Sequence, residues 1–354
     1  MTRLLDRVAE VATEPGARAR YRAVTGRVTS FDVAEAAGVS QSTVSRALRG
    51  EPSIGTETVA RIVAAAAALD YVPSDRARDL SRGTTKRIAM VVDLENPLWS
   101  LLVGRLHDLL ADLSYHLTLI AGHPDSEVLD PALLGGGIDG VILSTVALDS
   151  TLPAILQRRS VPTVLLQRYT EGGELDSSVA DDRAGGAASA QILIDAGHQR
   201  IGALLGPRNT STGRDREAGF RECLADAGIE LDEALVRVGS FDFSHGYESV
   251  SGLFSGETES PTALFCSNDS IAFGALNRAC ELGIAVPGDL AIVGFDDLEQ
   301  ASWATLSLST VHVPFDDMLH SAVTMLMERI AGRTGLGRRV IHPVYPVLRS
   351  THGD

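Results

Sequence analysis

The sequence holds no apolar run long enough to cross a bilayer, which takes about 20 consecutive apolar residues. Its opening stretch, MTRLLDRVAEVATEPGARAR, has neither an apolar core nor a small-residue cleavage site. It does not read as a secretory signal, and a cytoplasmic protein is expected. Cysteine is scarce: Cys223, Cys266 and Cys280 are odd in number and scattered, which fits reduced thiols better than a disulfide framework. The nine histidines show no ligand spacing, so no metal is expected. Gly135-Gly136-Gly137-Ile138-Asp139-Gly140 satisfies G-x-G-x-x-G, but it precedes a strand pattern instead of joining a strand to a helix. It therefore offers no helix N-terminus to a pyrophosphate. A G-x-S-x-G elbow and a Walker loop are both missing. The acid pairs Asp181-Asp182 and Asp296-Asp297 are chain neighbours whose side chains point apart, a poor geometry for paired acid–base work. Neither an enzyme nor a cofactor is expected.

What is present is the composition of a globular protein with more than one domain. The chain has 354 residues, 44% hydrophobic and 22% charged, too many for one ordinary compact domain. Its net charge of −15 counts against a nucleic-acid partner until it is divided along the chain. Residues 1–83 hold 12 arginines against 10 acids, a net of +2, so the remainder carries −17. Such a body repels DNA everywhere except at a docking module. Residues 28–83 taken alone hold 6 arginines and 7 acids, less basic than a DNA reader usually is.

The pattern divides the chain into four segments. Residues 1–27 form an extension, basic in its second half. Residues 28–70 read as short helices with tight turns, and 71–87 as a polar link containing Pro73 and Gly83. From residue 88 to the end, apolar strand patterns at 88–92, 117–121, 141–144, 163–166, 201–205, 263–266 and 291–295 alternate with amphipathic stretches at 98–113, 184–196, 214–227 and 269–282. This alternation predicts a parallel sheet with helices on both faces, and roughly 265 residues of it predict two lobes. The expected fold is α/β: a small all-α domain followed by a two-lobed, doubly wound parallel-sheet domain.

The segment VTSFDVAEAAGVSQSTVSRALRG begins at Val28. Its first helix runs from Ser30 to Ala37, with Thr29 or Ser30 placed to accept from free backbone N–H groups. Val33, Ala34 and Ala37 form the inner face, and Gly38 permits the left-handed turn. Ser40 caps a second helix over 41–49, in which Val44 and Leu48 point inward. Gln41, Ser42, Ser45 and Arg46 then face outward, as a recognition helix requires. A third helix, 56–69, packs Val59, Ile62, Val63, Ala66 and Leu69 beneath the pair. The joint pattern A-x-x-A-G-V-S-x-x-T-V-S-R, from Ala34 to Arg46, resembles the LacI/GalR family of repressors, and the resemblance extends from Val28 to the end of the chain. It implies operator DNA as a partner, read by Thr29, Ser40, Gln41, Ser42, Thr43, Ser45 and Arg46.

The link YVPSDRARDL, from Tyr71 to Leu80, resembles the family's hinge, P-N-x-x-A-R-x-L. The resemblance implies a short helix that enters the minor groove, with Ala77 at the small position and Leu80 inserted at the central base step. Arg78 is placed to hold a phosphate. Ser74 stands where the family has Asn, and Asp79 brings a carboxylate beside the DNA; a flexible linker is the alternative. Residues 1–27 lie outside the resemblance. Arg18, Arg20, Arg22 and Arg27 form either a basic arm on phosphates or a solvated tail.

The C-terminal region resembles the periplasmic sugar-binding fold that the family shares, in which ligand sits between lobes beyond the strand ends. The resemblance places a small-molecule effector, a sugar or sugar derivative, among Trp99, Asp181, Arg216, Phe241, Asn268, Asp269, Asp296 and Phe315. Asp181 falls in VADDRAG, against the family's V-x-x-D-N-x-x-G. Gln167 stands where many relatives have Asp, followed by the usual Arg168. The mixture of acids and arginine fits a neutral polyol or sugar, with phosphorylated or acidic sugars as the alternative. A two-fold homodimer would match an inverted-repeat operator. Met318, Leu319, Ala322, Val323, Leu326 and Ile330 form a wide apolar stripe over 314–331, part core and part expected to face a partner subunit. The rival classes are a transporter-feeding solute-binding protein, disfavoured by the head-piece, and an α/β enzyme, disfavoured by the missing nucleophile motif and cofactor loop.

Overall fold

The computed structural model describes residues 28–48, 50–71, 84–92, 98–121, 137–172, 175–256 and 259–353. The chain separates into two units, Met1–Gly83 and Thr84–Asp354. The extension 1–27 and hinge positions Ala77, Arg78 and Leu80 lie outside the described residues.

In the first unit, α1 (Ser30–Ala37), α2 (Gln41–Leu48) and α3 (Thr56–Ala68) pack around Val33, Ala34, Ala37, Val44, Ala47, Ile62 and Ala66. Thr29 caps α1, and its backbone N–H and hydroxyl both donate to Asp32 at 2.8 Å. Gly38 ends the helix at φ +65°, a conformation costly for any residue with a Cβ. Ser40 Oγ accepts from the Thr43 N–H and starts α2. Val63 does not join this core: it is exposed, because Ile62 and Ala66 already occupy the inward line of α3 and Val63 follows about 100° further round.

The second unit has two sheets. In the first lobe β1 (Arg87–Val92), β2 (His116–Ala121), β3 (Gly140–Leu143), β4 (Thr163–Leu166), β5 (Asp176–Ala180) and β11 (Arg339–His342) form a parallel sheet of order β11-β5-β4-β3-β1-β2. In the second lobe β6 (Ile201–Leu205), β7 (Val236–Val238), β8 (Ala263–Cys266) and β9 (Ala291–Val293) form a parallel sheet of order β7-β6-β8-β9. Between them β10 (Thr310–His312) pairs antiparallel with β12 (Tyr345–Val347). The helices are α4 (Leu98–Asp112), α5 (Leu152–Arg158), α6 (Asp182–Asp195), α7 (Ser211–Asp226), α8 (Phe243–Leu253), α9 (Asp269–Leu282) and α10 (Phe315–Ile330). The chain passes between lobes three times: from β5 into α6, from β10 into α10, and from β11 into β12. All seven strand patterns and the four long amphipathic stretches read from the sequence are present.

One expectation is overturned here. Met318, Leu319, Ala322, Val323 and Leu326 are all buried, with Ile330 packed against the same core. The apolar stripe of α10 lies on β3, β4, β5 and β11 and against α4. The six-stranded sheet needs a cover on this face, and the stripe is used up in providing it.

Candidate functional site

On α2, Ser42 and Arg46 are exposed, while Gln41, Thr43 and Ser45 are half-buried. Ser40 Oγ lies 2.8 Å from both Ser42 Oγ and Thr43 Oγ1, and Gln41 Nε2 donates to Ser30 Oγ at 3.2 Å. Arg46 is folded back: its Nε donates to Glu51 and its Nη2 to Ser53, each at 2.7 Å. An exposed pair of this kind is worth only about 0–1 kcal/mol, so a phosphate or a guanine edge can displace it. The helix thus presents a short polar row at its N-terminus and one long donor a turn later.

The second candidate site lies between the lobes, where strand ends meet. Leu98, Trp99, Gln167 and Arg168 from the first lobe and Thr212, Arg216, Phe241, Asn268 and Asp296 from the second line a cavity of about 20 Å³. Trp99 sits at the start of α4 and is 2% exposed. Arg216, on the first turns of α7, is also 2% exposed. Its Nε donates to Asp182 at 2.7 Å, its Nη1 donates to the Ser267 carbonyl at 2.7 Å, and its Nη2 lies 3.1 Å from Asp296 Oδ1. Its guanidinium also stacks over Phe295, 3.7 Å from the ring centre, with Phe241 at 6.0 Å. Burial pushes the Asp182 and Asp296 carboxyls up to about 6 each, against the pull of Arg216.

Backbone geometry fixes the acceptors. Asp296 has φ +116° and Asp297 φ +57°, a strained pair of the kind found at functional sites. The Asp296 N–H donates to Val311 O at 2.9 Å, which pins it at the end of β9. Its Oδ1 is buried with no aligned hydrogen bond among the described residues. Asn268 caps α9 by accepting from the Ile271 N–H at 2.9 Å, while its Nδ2 donates to the Phe241 carbonyl at 3.2 Å. It therefore positions the aromatic wall.

Five of the eight expected effector residues meet in this cavity: Trp99, Arg216, Phe241, Asn268 and Asp296. Three do not. Asp181 spends its carboxylate on the Ala184 N–H as the cap of α6, and it is Asp182, the next residue, that reaches Arg216. Asp269 is fully buried, accepting from the Leu298 N–H at 2.8 Å and from Thr310 Oγ1 at 2.6 Å. Its burial pushes its carboxyl well above the usual range, and it braces the Asp296 loop without lining the cavity. Phe315, the first residue of α10, is packed into the core. Leu98, Thr212 and Asp182 were not anticipated; Thr212 sits one turn before Arg216 on α7, a spacing that puts both on one face. Among the described residues no group of three His, Cys, Asp or Glu could hold a metal, and no helix is long and apolar enough to cross a membrane.

The sequence profile of the lacI family of bacterial regulatory proteins matches residues 31–74, and that of the periplasmic binding protein-like domain matches 190–352. The ribose operon repressor of Escherichia coli K12 is 32% identical over 311 residues, 86% of this chain and 94% of its own. The repressor PurR of Serratia proteamaculans is 31% identical over 322 residues, 89% of this chain and 94% of its own. Among solved structures, a complex of the transcriptional regulator CelR with cellobiose is 29% identical with a TM-score of 0.70, covering 92% of this chain and all of that one. The lac repressor dimer bound to operator and the anti-inducer ONPF is 25% identical with a TM-score of 0.79, covering 93% of this chain and all of that one. A reading helix in one unit, a two-lobed cleft in the other and relatives matched along nearly their whole length agree. The chain belongs to the LacI family of bacterial regulatory proteins, non-enzymatic repressors that bind operator DNA as dimers under small-molecule control.

Proposed function

We propose that the effector is a sugar or sugar derivative, and that the chain represses genes of carbohydrate use in the cytoplasm. The observation that carries this reading is the cleft lining: Trp99 and Phe241 beside Arg216, Asn268 and the buried Asp296 carboxylate. A sugar ring offers C–H faces to aromatic planes and hydroxyls to donors and acceptors together. Two of the relatives are described by carbohydrates, ribose and cellobiose. In this reading residues 28–70 form the DNA-binding domain, 71–87 the hinge and linker, and 88–354 the effector and dimerisation domain. Thr29, Ser40, Gln41, Ser42, Thr43, Ser45 and Arg46 contact the operator; Ala77, Arg78 and Leu80 enter the minor groove. The effector contacts are Trp99, Arg216, Phe241, Asn268 and Asp296, joined by Gln167, Arg168 and Thr212.

Each subunit of the dimer reads one half-site of an inverted repeat. Lobe movement around the effector changes the spacing of the two hinges, which couples the sites by about 1–3 kcal/mol. The test is an anisotropy titration on the DNA upstream of the chain's own gene, with and without a panel of monosaccharides. Salt-sensitive binding that one sugar weakens about 5–150-fold is the expected result. Strengthening by a sugar would keep the effector class and reverse the sign of regulation. Operator binding indifferent to every carbohydrate would overturn the sugar reading.

A further inference from the structure

We propose that Asp182 sets the charge selectivity of the effector cleft: by sharing Arg216 with Asp296 it leaves that guanidinium with no unmatched positive charge, so the site takes an uncharged polyhydroxy ligand and rejects phosphorylated or carboxylated ones. This rests on the reading of the cleft as the effector site and narrows its ligand class. Arg216 alone would be a natural anion receptor, since its planar fork suits carboxylate and phosphate. Here the fork is already engaged. Nε meets Asp182 at 2.7 Å, Nη2 meets Asp296 at 3.1 Å, and Nη1 meets the Ser267 carbonyl at 2.7 Å. All three side chains are at most 5% exposed, so water screens none of these charges.

Around Arg216 the local charge is not positive: one guanidinium faces two buried carboxylates, Asp182 and Asp296. Asp269, buried close enough to Asp296 for the two carboxyls to repel, adds none of positive sign. An incoming anion would place its charge against two carboxylates in a poorly solvated site, where like charges are costly. A neutral hydroxyl meets no such penalty. It can accept from the Arg216 N–H groups not held by Asp182 or the Ser267 carbonyl and donate to Asp296 Oδ1, which has no aligned donor.

The test compares the full-length protein with Asp182→Asn, an isosteric change that removes one negative charge. Inorganic phosphate is titrated against each while Trp99 fluorescence is followed, with Trp303, exposed and outside the cleft, replaced by Phe in both. Asp182→Asn is expected to show saturable phosphate binding at least about tenfold tighter than the unsubstituted cleft. Should that variant not fold, Asp296→Asn removes the other carboxylate and carries the same expectation. Phosphate binding of equal strength in both proteins, or in neither, would overturn the assignment. A parallel titration of the unsubstituted protein with neutral monosaccharides tests the sugar reading separately: its failure leaves the phosphate comparison intact, and a failed phosphate comparison leaves the sugar reading intact.

Discussion

A guanidinium removed from water persists only where every charge around it is matched. Arg216 meets this condition through Asp182, Asp296 and the Ser267 carbonyl, so its removal strands two buried carboxylates. Arg216→Met is expected to destabilise the second unit by roughly 3–5 kcal/mol, measured by urea unfolding at neutral pH. Combining it with Asp182→Asn should recover part of that loss, because only one carboxylate is then left unpaired. Additive losses in the double variant would mean that the pair is not coupled. Arg216 and Asp296 were legible in the sequence because a family pattern marked them. Asp182, not Asp181, reaches Arg216 for a reason of phase. The first of two adjacent acids at a helix start caps the free N–H groups, and the second, on the first turn, faces a different way.

Helices α6 and α7 meet through glycine. A Cβ added at Gly186 would stand 2.1 Å from the Arg216 carbonyl, and one at Gly219 would stand 1.9 Å from the Arg183 carbonyl. The two backbones therefore touch at Arg216 itself. Gly186→Ala forces the helices apart, and overpacking of this kind costs about 1–3 kcal/mol. The expected outcome is both a lower unfolding midpoint and a weaker effector response, since the shift moves Arg216 itself. A stable variant with normal effector response would show that the contact gives without moving the cleft. The long periodic helices and the apolar strands of both sheets were readable because their patterns are repeated over many residues. Strand β5, Asp-Ser-Ser-Val-Ala, was not, because its small polar residues are buried by partners elsewhere: Asp176 is held by Arg329 and Arg338, and Ser178 by the Met318 carbonyl and His342. Burial alone would raise the Asp176 carboxyl, yet hydrogen bonds from those two arginines hold it far below the usual range. Residues 140 or more positions away make this strand buried, and no local pattern carries that information.

At the scale of the two lobes, a cavity of about 20 Å³ has room for roughly one water, so a monosaccharide enters only if the lobes part. A clasp across the cleft opposes that motion. The Tyr169 hydroxyl, just beyond β4, donates to Asp215 and accepts from Arg214 Nη2 at 2.7 Å, both on α7. The Tyr169 N–H donates to Ser211 Oγ at 3.1 Å, and the Leu148 N–H donates to the Asn209 carbonyl at 2.8 Å. All four contacts tie first-lobe loops to the start of α7, the helix that carries Thr212 and Arg216. Tyr169→Phe removes the hydroxyl but leaves Arg214 paired with Asp215 at 2.9 Å, so no charge is stranded and the fold holds. Losing these two hydrogen bonds, each worth about 0.5–1.5 kcal/mol, shifts the open–closed balance by about 1–3 kcal/mol, or about 5- to 150-fold in the open population. Effector association followed by stopped-flow Trp99 fluorescence should accelerate by that factor, because entry requires the open form. An unchanged association rate would place the entry path away from the Tyr169 edge and leave the clasp a static contact.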